Sequence, residues 1–200
     1  MSIGVIAGCV SAFAFFPYLI SILKGKTKPN MITWWIWSFL GVLLFFSYKA
    51  GGAKETLFVP FVYMITPLAT AIISLKYGTK GWTKFDAYCL TGAVVSTIIW
   101  FISGSPTIAL VLYLFIDLFG LLPTIKKTFY HPEQEDTLAW LLMVIANCLN
   151  MFAIKKIEFS ILIYPLYLFI SGCIIFTLSL RKKPAVETAS PYKPYQGKGK

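Results

Sequence analysis

The sequence predicts an all-α integral membrane protein with seven transmembrane helices. Hydrophobic residues make up 58% of the 200 residues and charged residues only 13%, whereas soluble domains carry about 25% charged residues. The mean hydropathy is +0.74. The apolar residues gather into runs of roughly 17 to 22 residues, the length that a helix needs to cross a hydrocarbon core of about 30 Å. Because lipid offers the backbone no hydrogen-bond partners, these runs are predicted to be helices.

Seven such runs follow one another through short turns. They occupy roughly residues 3–23, 31–48, 57–75, 87–103, 106–125, 137–154 and 159–180. The first run lacks a basic segment before it and a small-residue cleavage site after it, so it is predicted to be a retained span and not a signal peptide. All four cysteines lie within apolar runs, which is typical of small buried hydrophobic residues and not of a disulfide framework.

The distribution of positive charge predicts the orientation. Of the 18 Lys and Arg residues, fourteen lie in the loops after the first, third and fifth runs or after the seventh run. Only four lie on the other side, namely Lys49, Lys54, Lys155 and Lys156. This asymmetry places the N-terminus outside and the C-terminus in the cytoplasm, in the plasma (inner) membrane. Cations arranged in this way do not indicate nucleic-acid binding. The basic, Pro-containing tail at 181–200 is predicted to be a disordered cytoplasmic extension.

An internal repeat with an offset of 106 residues organises the seven runs. Three pairs of residues coincide at this offset: Pro17 with Pro123, Trp34 with Trp140, and Lys49 with Lys155. Each unit has a proline near the inner end of its first span, then a charged turn, then an early tryptophan. A single connecting span makes the two units parallel repeats. The predicted divisions are a first three-helix repeat at 1–78, a linker helix at 79–104, a second three-helix repeat at 105–180, and the tail at 181–200.

This design resembles the PQ-loop superfamily, and within it the SWEET and SemiSWEET sugar carriers. The residues that carry the resemblance are Pro17-Tyr18 and Pro123-Thr124, at the positions where the family shows Pro-Gln. The resemblance implies two three-helix bundles around a central path that opens alternately to either side. The glutamine is absent at both positions, and so are the prolines that SWEET carriers place in the second and sixth spans. The predicted solute is therefore a small polar metabolite such as a sugar or an amino acid.

Asp117 is the most informative single residue. It lies near the middle of the fifth run, where an aspartate costs about 2.5–3.5 kcal/mol to insert. Such a residue must face the interior of the bundle or a wet cavity. We predict a role in substrate binding or proton coupling. The alternative is a protonated acid that bonds a neighbouring helix.

Two asparagines and a tryptophan share one stripe of the sixth run. Asn147 and Asn150 are three residues apart, and Trp140 lies seven residues before Asn147. An aromatic ring that leads to two amides suits a polar solute with an apolar face. The alternative is that the amides hydrogen-bond between helices.

The tryptophans at the start of the second run are predicted to divide their roles. Trp34 matches Trp140 in the repeat, and we predict that it faces the interior. Trp35 and Trp37 are predicted to be anchors at the lipid interface, where aromatic belts occur.

Prolines and hydroxyl-bearing residues complete the candidate set. Pro17 and Pro123 remove helical hydrogen bonds and are predicted to be gating hinges. Side chains of the third and seventh runs form a candidate lining, with interhelical packing as the alternative: Tyr63, Thr66, Thr70, Tyr164 and Tyr167. The only histidine, His131, has no histidine partner, so we expect no metal site, and nothing in the sequence indicates a cofactor.

Three classes of function compete. The doubled unit and the candidate site favour a membrane carrier for a small-molecule solute, working as an alternating-access facilitator or a proton-linked exchanger. A non-transporting PQ-loop receptor or partner-binding membrane protein is the alternative, and its bait would have to be small because the predicted outer loops are short. An intramembrane enzyme is disfavoured, because the sequence places no nucleophile and base at matching depth.

Overall fold

The computed structural model describes residues 2–25, 29, 31–78, 81–132 and 135–181, and of Pro123, Lys126 and Lys127 only the backbone. These residues form seven α-helices and contain no β-strand. The helices are α1 (Ile3–Leu23), α2 (Met31–Ala50), α3 (Phe58–Tyr77), α4 (Lys84–Ser103), α5 (Pro106–Tyr130), α6 (Thr137–Phe152) and α7 (Phe159–Ser179).

The helices begin and end close to the predicted limits, and local capping explains the differences. α4 begins at Lys84, three residues before the apolar run, because Thr83 and Asp86 form a reciprocal capping box. The helix ends at Gly104, which adopts the left-handed conformation with φ 62°. α5 continues through Pro123 to Tyr130, because basic residues can extend a helix beyond its apolar part. Asp136 caps α6 by accepting a hydrogen bond from the Ala139 amide at 3.0 Å.

The helices support an integral membrane protein. Five of them, α1 to α4 and α7, are long and apolar enough to cross a membrane. Two shorter apolar segments cover Pro106–Leu122 of α5 and the whole of α6. Large apolar side chains such as Phe13, Phe101 and Phe159 are exposed on the outside of the bundle. An exterior of this kind is unfavourable in water and suited to lipid.

Six of the helices form a closed ring. Around it, α1 packs on α3, α3 on α2, α2 on α5, α5 on α7, α7 on α6, and α6 again on α1. α4 lies outside the ring against α5 and α2. A buried apolar cluster joins α2, α5 and α7, and it includes Leu40, Leu44, Leu110, Tyr113 and Tyr164. The cluster extends to α4, because Trp100 packs against it and the Tyr113 hydroxyl lies 2.7 Å from the Thr97 hydroxyl.

The two ends of the bundle are defined by their turns. The Glu55 end holds the turns at 51–57 and 153–158. The first of these turns contacts α7, where Ser160 Oγ donates to the Gly51 carbonyl at 2.9 Å. The Asp136 end holds the last turns of α1, α3, α5 and α7. The predicted loop cations Lys26, Lys28 and Lys80, and the tail from residue 182 onward, lie outside the described residues.

Candidate functional site

A cavity of about 460 Å³ occupies the central space of the ring. At the Asp136 end its lining includes loop residues, namely Pro29, Glu135 and Asp136. From there it extends past the tryptophans to Gly41 of α2 and Tyr164 of α7. The cavity therefore runs from one end of the bundle to about its middle, and every ring helix contributes to its wall.

Most of the predicted site residues line this one cavity. Those that do are Trp34, Tyr63, Thr66, Asp117, Trp140, Asn147, Tyr164 and Tyr167. Three predicted residues, Asn150, Thr70 and Pro17, are not among the described residues of the wall. Asn150 and Thr70 are buried between helices, and the Thr70 hydroxyl donates to the Thr66 carbonyl at 3.0 Å. Pro17 lies within α1 away from the cavity lining. Pro123 lies within α5, and its side chain is outside the described part of the chain.

Asp117 faces the cavity from α5. The Tyr167 hydroxyl of α7 donates to its Oδ2 in a short hydrogen bond of 2.6 Å. The bond crosses from one ring helix to the next and fixes the orientation of the carboxyl group. A cavity wall that is otherwise rich in aromatic and aliphatic groups thus holds one oriented acid near the middle of the bundle.

Asn147 places an amide in the same wall with an unused acceptor. Its side chain is 1% exposed. Its Nδ2 donates to the Met143 carbonyl at 2.9 Å and to the Tyr63 hydroxyl at 3.3 Å. Its Oδ1 has no hydrogen-bond partner among the described residues. Buried amide oxygens are rarely left unpaired.

Three aromatic rings form a continuous patch near the Asp136 end. The Trp34 ring lies 5.5 Å from Tyr18 and 5.2 Å from Trp37, between ring centroids. The prediction that Trp37 is an interface anchor is wrong, because Trp37 lines the cavity. Gly120 of α5 permits this position, since a Cβ there would lie 2.8 Å from the Trp37 Nε1. Trp35 is 41% exposed on the outer surface, in keeping with an anchor.

Sequence reasoning missed the acidic mouth of the cavity. Glu135 and Asp136 belong to a polar turn that carries no periodic pattern, and such turns are usually solvated. In the structure both residues line the cavity. Glu135 Oε2 accepts a hydrogen bond from the Trp140 indole at 3.0 Å. One signal could have indicated Glu135: it lies only five residues before Trp140, which is a predicted site residue.

The Glu55 end of the ring is closed above the cavity. Tyr48 is fully buried, its hydroxyl lies 2.7 Å from the Thr56 hydroxyl, and it donates to the Ile161 carbonyl at 2.8 Å. The Tyr164 ring packs edge-on against Tyr48 at 5.3 Å. These contacts join α2 to α7 and to the turn after α2. No sequence pattern indicates these contacts, because Tyr48 lies in an apolar run beside a lysine.

An ion pair spans the same end on the surface. The Lys155 ammonium lies 3.0 Å from Glu55 Oε1. The hydrogen bond from Lys155 lowers the pKa of the Glu55 carboxyl below its ordinary value. The pair links the turn between α2 and α3 to the turn between α6 and α7, although such exposed pairs add little stability.

The described side chains include no group of three or more His, Cys, Asp or Glu residues that could hold a metal ion. Comparison of the chain with models of known protein families, with curated proteins and with solved structures finds no significant match. The site must therefore be interpreted from its own chemistry. It combines one oriented carboxyl group, one amide with a free acceptor and a patch of aromatic rings, in a cavity large enough for a small organic molecule.

Proposed function

We propose that this protein is a carrier that moves a small polar solute across a membrane by alternating access. One observation carries the proposal: a solute-sized cavity at the centre of a helix ring reaches one end of the bundle, while cross-helix contacts close the other end. A carrier must hold its solute in a central site that is open to one side at a time. In this state the path leads to the Asp136 end and the Glu55 end is closed.

The helix contacts support two parallel three-helix repeats joined by α4. If α1, α2 and α3 are exchanged with α5, α6 and α7, the contact pairs of the ring map onto one another. The pair α1 and α3 maps onto α5 and α7, the pair α2 and α3 onto α6 and α7, and the pair α1 and α6 onto α5 and α2. α4 has no counterpart, as a linker helix requires.

The cavity lining supports the same repeat at the level of residues. Several pairs of lining residues are separated by 106 positions: Phe15 and Leu121, Tyr18 and Thr124, Trp34 and Trp140, Trp37 and Met143, Gly41 and Asn147, and Thr66 and Gly172. The two units thus present equivalent positions to one shared cavity. The side chains at two of the matching positions differ in chemistry, because Asp117 corresponds to Ser11 and Asn147 corresponds to Gly41. The site is therefore asymmetric, as recognition of an asymmetric solute requires.

The ring also supports seven membrane crossings. α6 has 16 residues, which corresponds to about 24 Å of helix. It packs between α1 and α7, which are both long enough to cross, so its ends lie close to the levels of theirs. With the basic loops in the cytoplasm, the cavity opens to the cytoplasm and the Glu55 end faces outward. The doubled 3 + 1 + 3 design is the basis for assigning the chain to the PQ-loop superfamily, as a SWEET-like member.

Prolines within the ring helices provide candidate hinges. Pro17 in α1 and Pro123 in α5 occupy matching positions, and Pro67 of α3 lines the cavity. Each removes one helical hydrogen bond and allows the helix to bend at that point. Bending would open the Glu55 end while the wall near Trp34 and Trp140 closes. Asp117 can bind the solute directly, which suits a facilitator. Alternatively, it can take up and release a proton as the solute moves, which suits a proton-linked exchanger.

Counterflow in proteoliposomes tests the carrier proposal. Purified protein is reconstituted, vesicles are loaded with unlabelled solutes, and uptake of radiolabelled sugars, amino acids, vitamins and organic cations is measured. A carrier accumulates the labelled form of its solute, and empty vesicles do not. Asp117→Asn is expected to lower this uptake or to remove its dependence on a pH gradient, whereas Glu158→Gln, which changes an acid outside the cavity, is expected to leave it unchanged. If no solute moves while a reference carrier works under the same conditions, the transport proposal fails.

A further inference from the structure

We propose that two hydrogen bonds across the interior of the ring form the outer gate of the carrier, and that Pro165 makes one of them possible. The inference rests on the proposed function, because it assigns the step by which the Glu55 end opens. One bond joins Tyr48 to the Ile161 carbonyl, and the other joins Asn147 to Tyr63. We call these bonds the Tyr48 bridge and the Asn147 bridge.

Each bridge joins two helices that are not neighbours in the ring. The Tyr48 bridge runs from α2 to α7, which are separated by α5, over 2.8 Å. The Asn147 bridge runs from α6 to α3, which are separated by α1, over 3.3 Å. Exchange of the two repeats maps the pair α2 and α7 onto the pair α6 and α3. Each bridge therefore ties one repeat to the other across the central space, and the repeats must break both bonds to separate at this end.

The bridges lie between two cavities. A pocket of about 280 Å³ lies at the Glu55 end, and Thr56 and Ile161 belong to its lining. Tyr63 and Asn147 line the central cavity. Tyr48 and Ile161 are each two residues from the Glu55 end of their helix. Tyr63 and Asn147 are each five residues from it, so the Asn147 bridge lies about one helical turn deeper. A solute that moves from the central cavity to the outer pocket passes both bridges in turn.

Pro165 explains why the Ile161 carbonyl is available to the Tyr48 hydroxyl. In an α-helix, this carbonyl would accept a hydrogen bond from the amide of residue 165, but proline has no amide hydrogen. Pro165 is buried within α7. The hydroxyl from α2 takes the place of the missing helical donor. Opening of the gate leaves a buried carbonyl without a partner, which is unfavourable. Pro165 is thus a positioning residue that acts through this carbonyl.

The Asn147 bridge gives this asparagine a role that does not require contact with the solute. Its side chain is buried, and its Nδ2 donates to the Met143 carbonyl within α6 and to the Tyr63 hydroxyl of α3. Only the second bond connects the two repeats. Ser11 of α1 is a further hydrogen-bond partner of Tyr63, but it belongs to the same repeat.

Thiol labelling from each side measures the gate without a solute. Thr66 lines the central cavity and lies three residues beyond Tyr63 in α3, on the cavity side of both bridges. The variant Thr66→Cys serves as the reporter, because no native cysteine lies between Lys54 and Lys76. A membrane-impermeant methanethiosulfonate reagent is applied to intact cells for the outer face and to inside-out vesicles for the cytoplasmic face. Mass spectrometry of the reporter peptide gives the rates, and we expect fast labelling in vesicles and slow labelling in cells.

Variants of the bridges, made in this reporter protein, should speed the labelling in cells. Tyr63→Phe breaks one bond between the repeats and should raise the rate by about 2–10-fold. Tyr48→Phe also removes the contact with Thr56 and should raise the rate at least as much. Because both bridges restrain one opening, the double variant should multiply the two increases. In a Pro165→Ala background, the new amide supplies the donor to the Ile161 carbonyl, so Tyr48→Phe should have a smaller effect.

Two control variants remove hydroxyl contacts that do not cross the ring. Tyr113→Phe breaks a contact of α5 with α4, and Ser11→Ala breaks the contact of Tyr63 within its own repeat. Both should leave the labelling rate in cells unchanged. The proposal is overturned if the reporter reacts faster in cells than in vesicles, or if Tyr48→Phe or Tyr63→Phe leaves the rate in cells unchanged. The single variants decide the matter if the double variant does not fold. An equal effect of Tyr48→Phe with and without Pro165 excludes Pro165 from the gate.

The labelling and transport results fail separately. Faster labelling in both bridge variants, without counterflow of any solute, would retain the gate and reject the carrier. Counterflow with labelling in cells that neither variant changes would retain the carrier and reject this gate.

Discussion

The hydroxyl of Tyr48 offers the sharpest test of the closed Glu55 end. Tyr48→Phe removes that oxygen and keeps the ring, so the edge-on packing on Tyr164 is preserved. The lost interactions are those with the Thr56 hydroxyl at 2.7 Å and with the Ile161 carbonyl at 2.8 Å. Since Tyr48 is fully buried, no water replaces them from the surface without rearrangement.

The magnitude follows from the two hydrogen bonds. Each contributes about 0.5–1.5 kcal/mol net, so the free energy of unfolding should fall by about 1–3 kcal/mol. If the Glu55 end opens during transport, these contacts exist only in the closed state. The same energy then shifts the balance between states by about 5–150-fold toward opening.

Tyr113→Phe is a matched control. Tyr113 is also fully buried, and its hydroxyl has one side-chain partner, Thr97, at 2.7 Å. Thr97 keeps its own hydrogen bond to the Ala93 carbonyl at 2.8 Å. The same chemical change should therefore cost about half as much or less.

The assay is reversible unfolding in mixed micelles, followed by circular dichroism, for the parent and both variants. A double-mutant cycle of Tyr48→Phe with Thr56→Val isolates the shared hydrogen bond and should give a coupling of about 0.5–1.5 kcal/mol. The reasoning is refuted if Tyr48→Phe destabilises no more than Tyr113→Phe, or if the cycle gives no coupling.

Three further predictions concern other parts of the ring. Asn150→Leu should stabilise the protein by about 1–3 kcal/mol in unfolding titrations, because neither polar atom of this fully buried amide has a partner among the described residues; a loss of stability would contradict this. Gly4→Ala should lower the unfolding temperature, because its Cβ would overlap the Glu55 carbonyl oxygen, whereas Gly172→Ala, with its nearest neighbour at 3.4 Å, should be tolerated; similar effects of the two changes would refute the close contact. Glu55→Gln should lower the unfolding temperature slightly at pH 7 but not at pH 3, because the lowered pKa of Glu55 makes the ion pair with Lys155 fully stabilising above the ordinary carboxyl pKa and lost as the pH falls through the lowered one; an equal difference at both pH values would exclude this pairing.

The positions of the helices were predictable because lipid imposes a strong local rule. An apolar run must be about 20 residues long to cross and must satisfy its own backbone. The predicted start of α1 at residue 3 and of α6 at residue 137 coincide with the structure. The deviation at α4 arose because hydropathy does not register a capping box, and Thr83 with Asp86 forms one.

The candidate site was predictable where a polar side chain lies in an apolar run, because exposing such a side chain to lipid is unfavourable. Asp117 and Asn147 in apolar runs had to face inward, and both line the cavity. Asn150 obeyed the same rule without reaching the cavity, since burial between helices also hides a polar group. Polarity could therefore indicate the inner side of a helix but not the depth at which the ring leaves space.

The sequence by itself determined that this protein is helical, apolar on its outside and built from runs that match a membrane. Only the tertiary structure decided which aromatic residues face the cavity and how one end is closed. Trp35 and Trp37 are equally apolar, and neither hydropathy nor spacing separates them. Their roles depend on the rotation of α2 about its axis, which is fixed by packing against α3 and α5 and by the close approach of Gly120 to Trp37. In helices that are apolar on every side, that rotation is set by the shapes of neighbouring side chains and not by a contrast between water and the core.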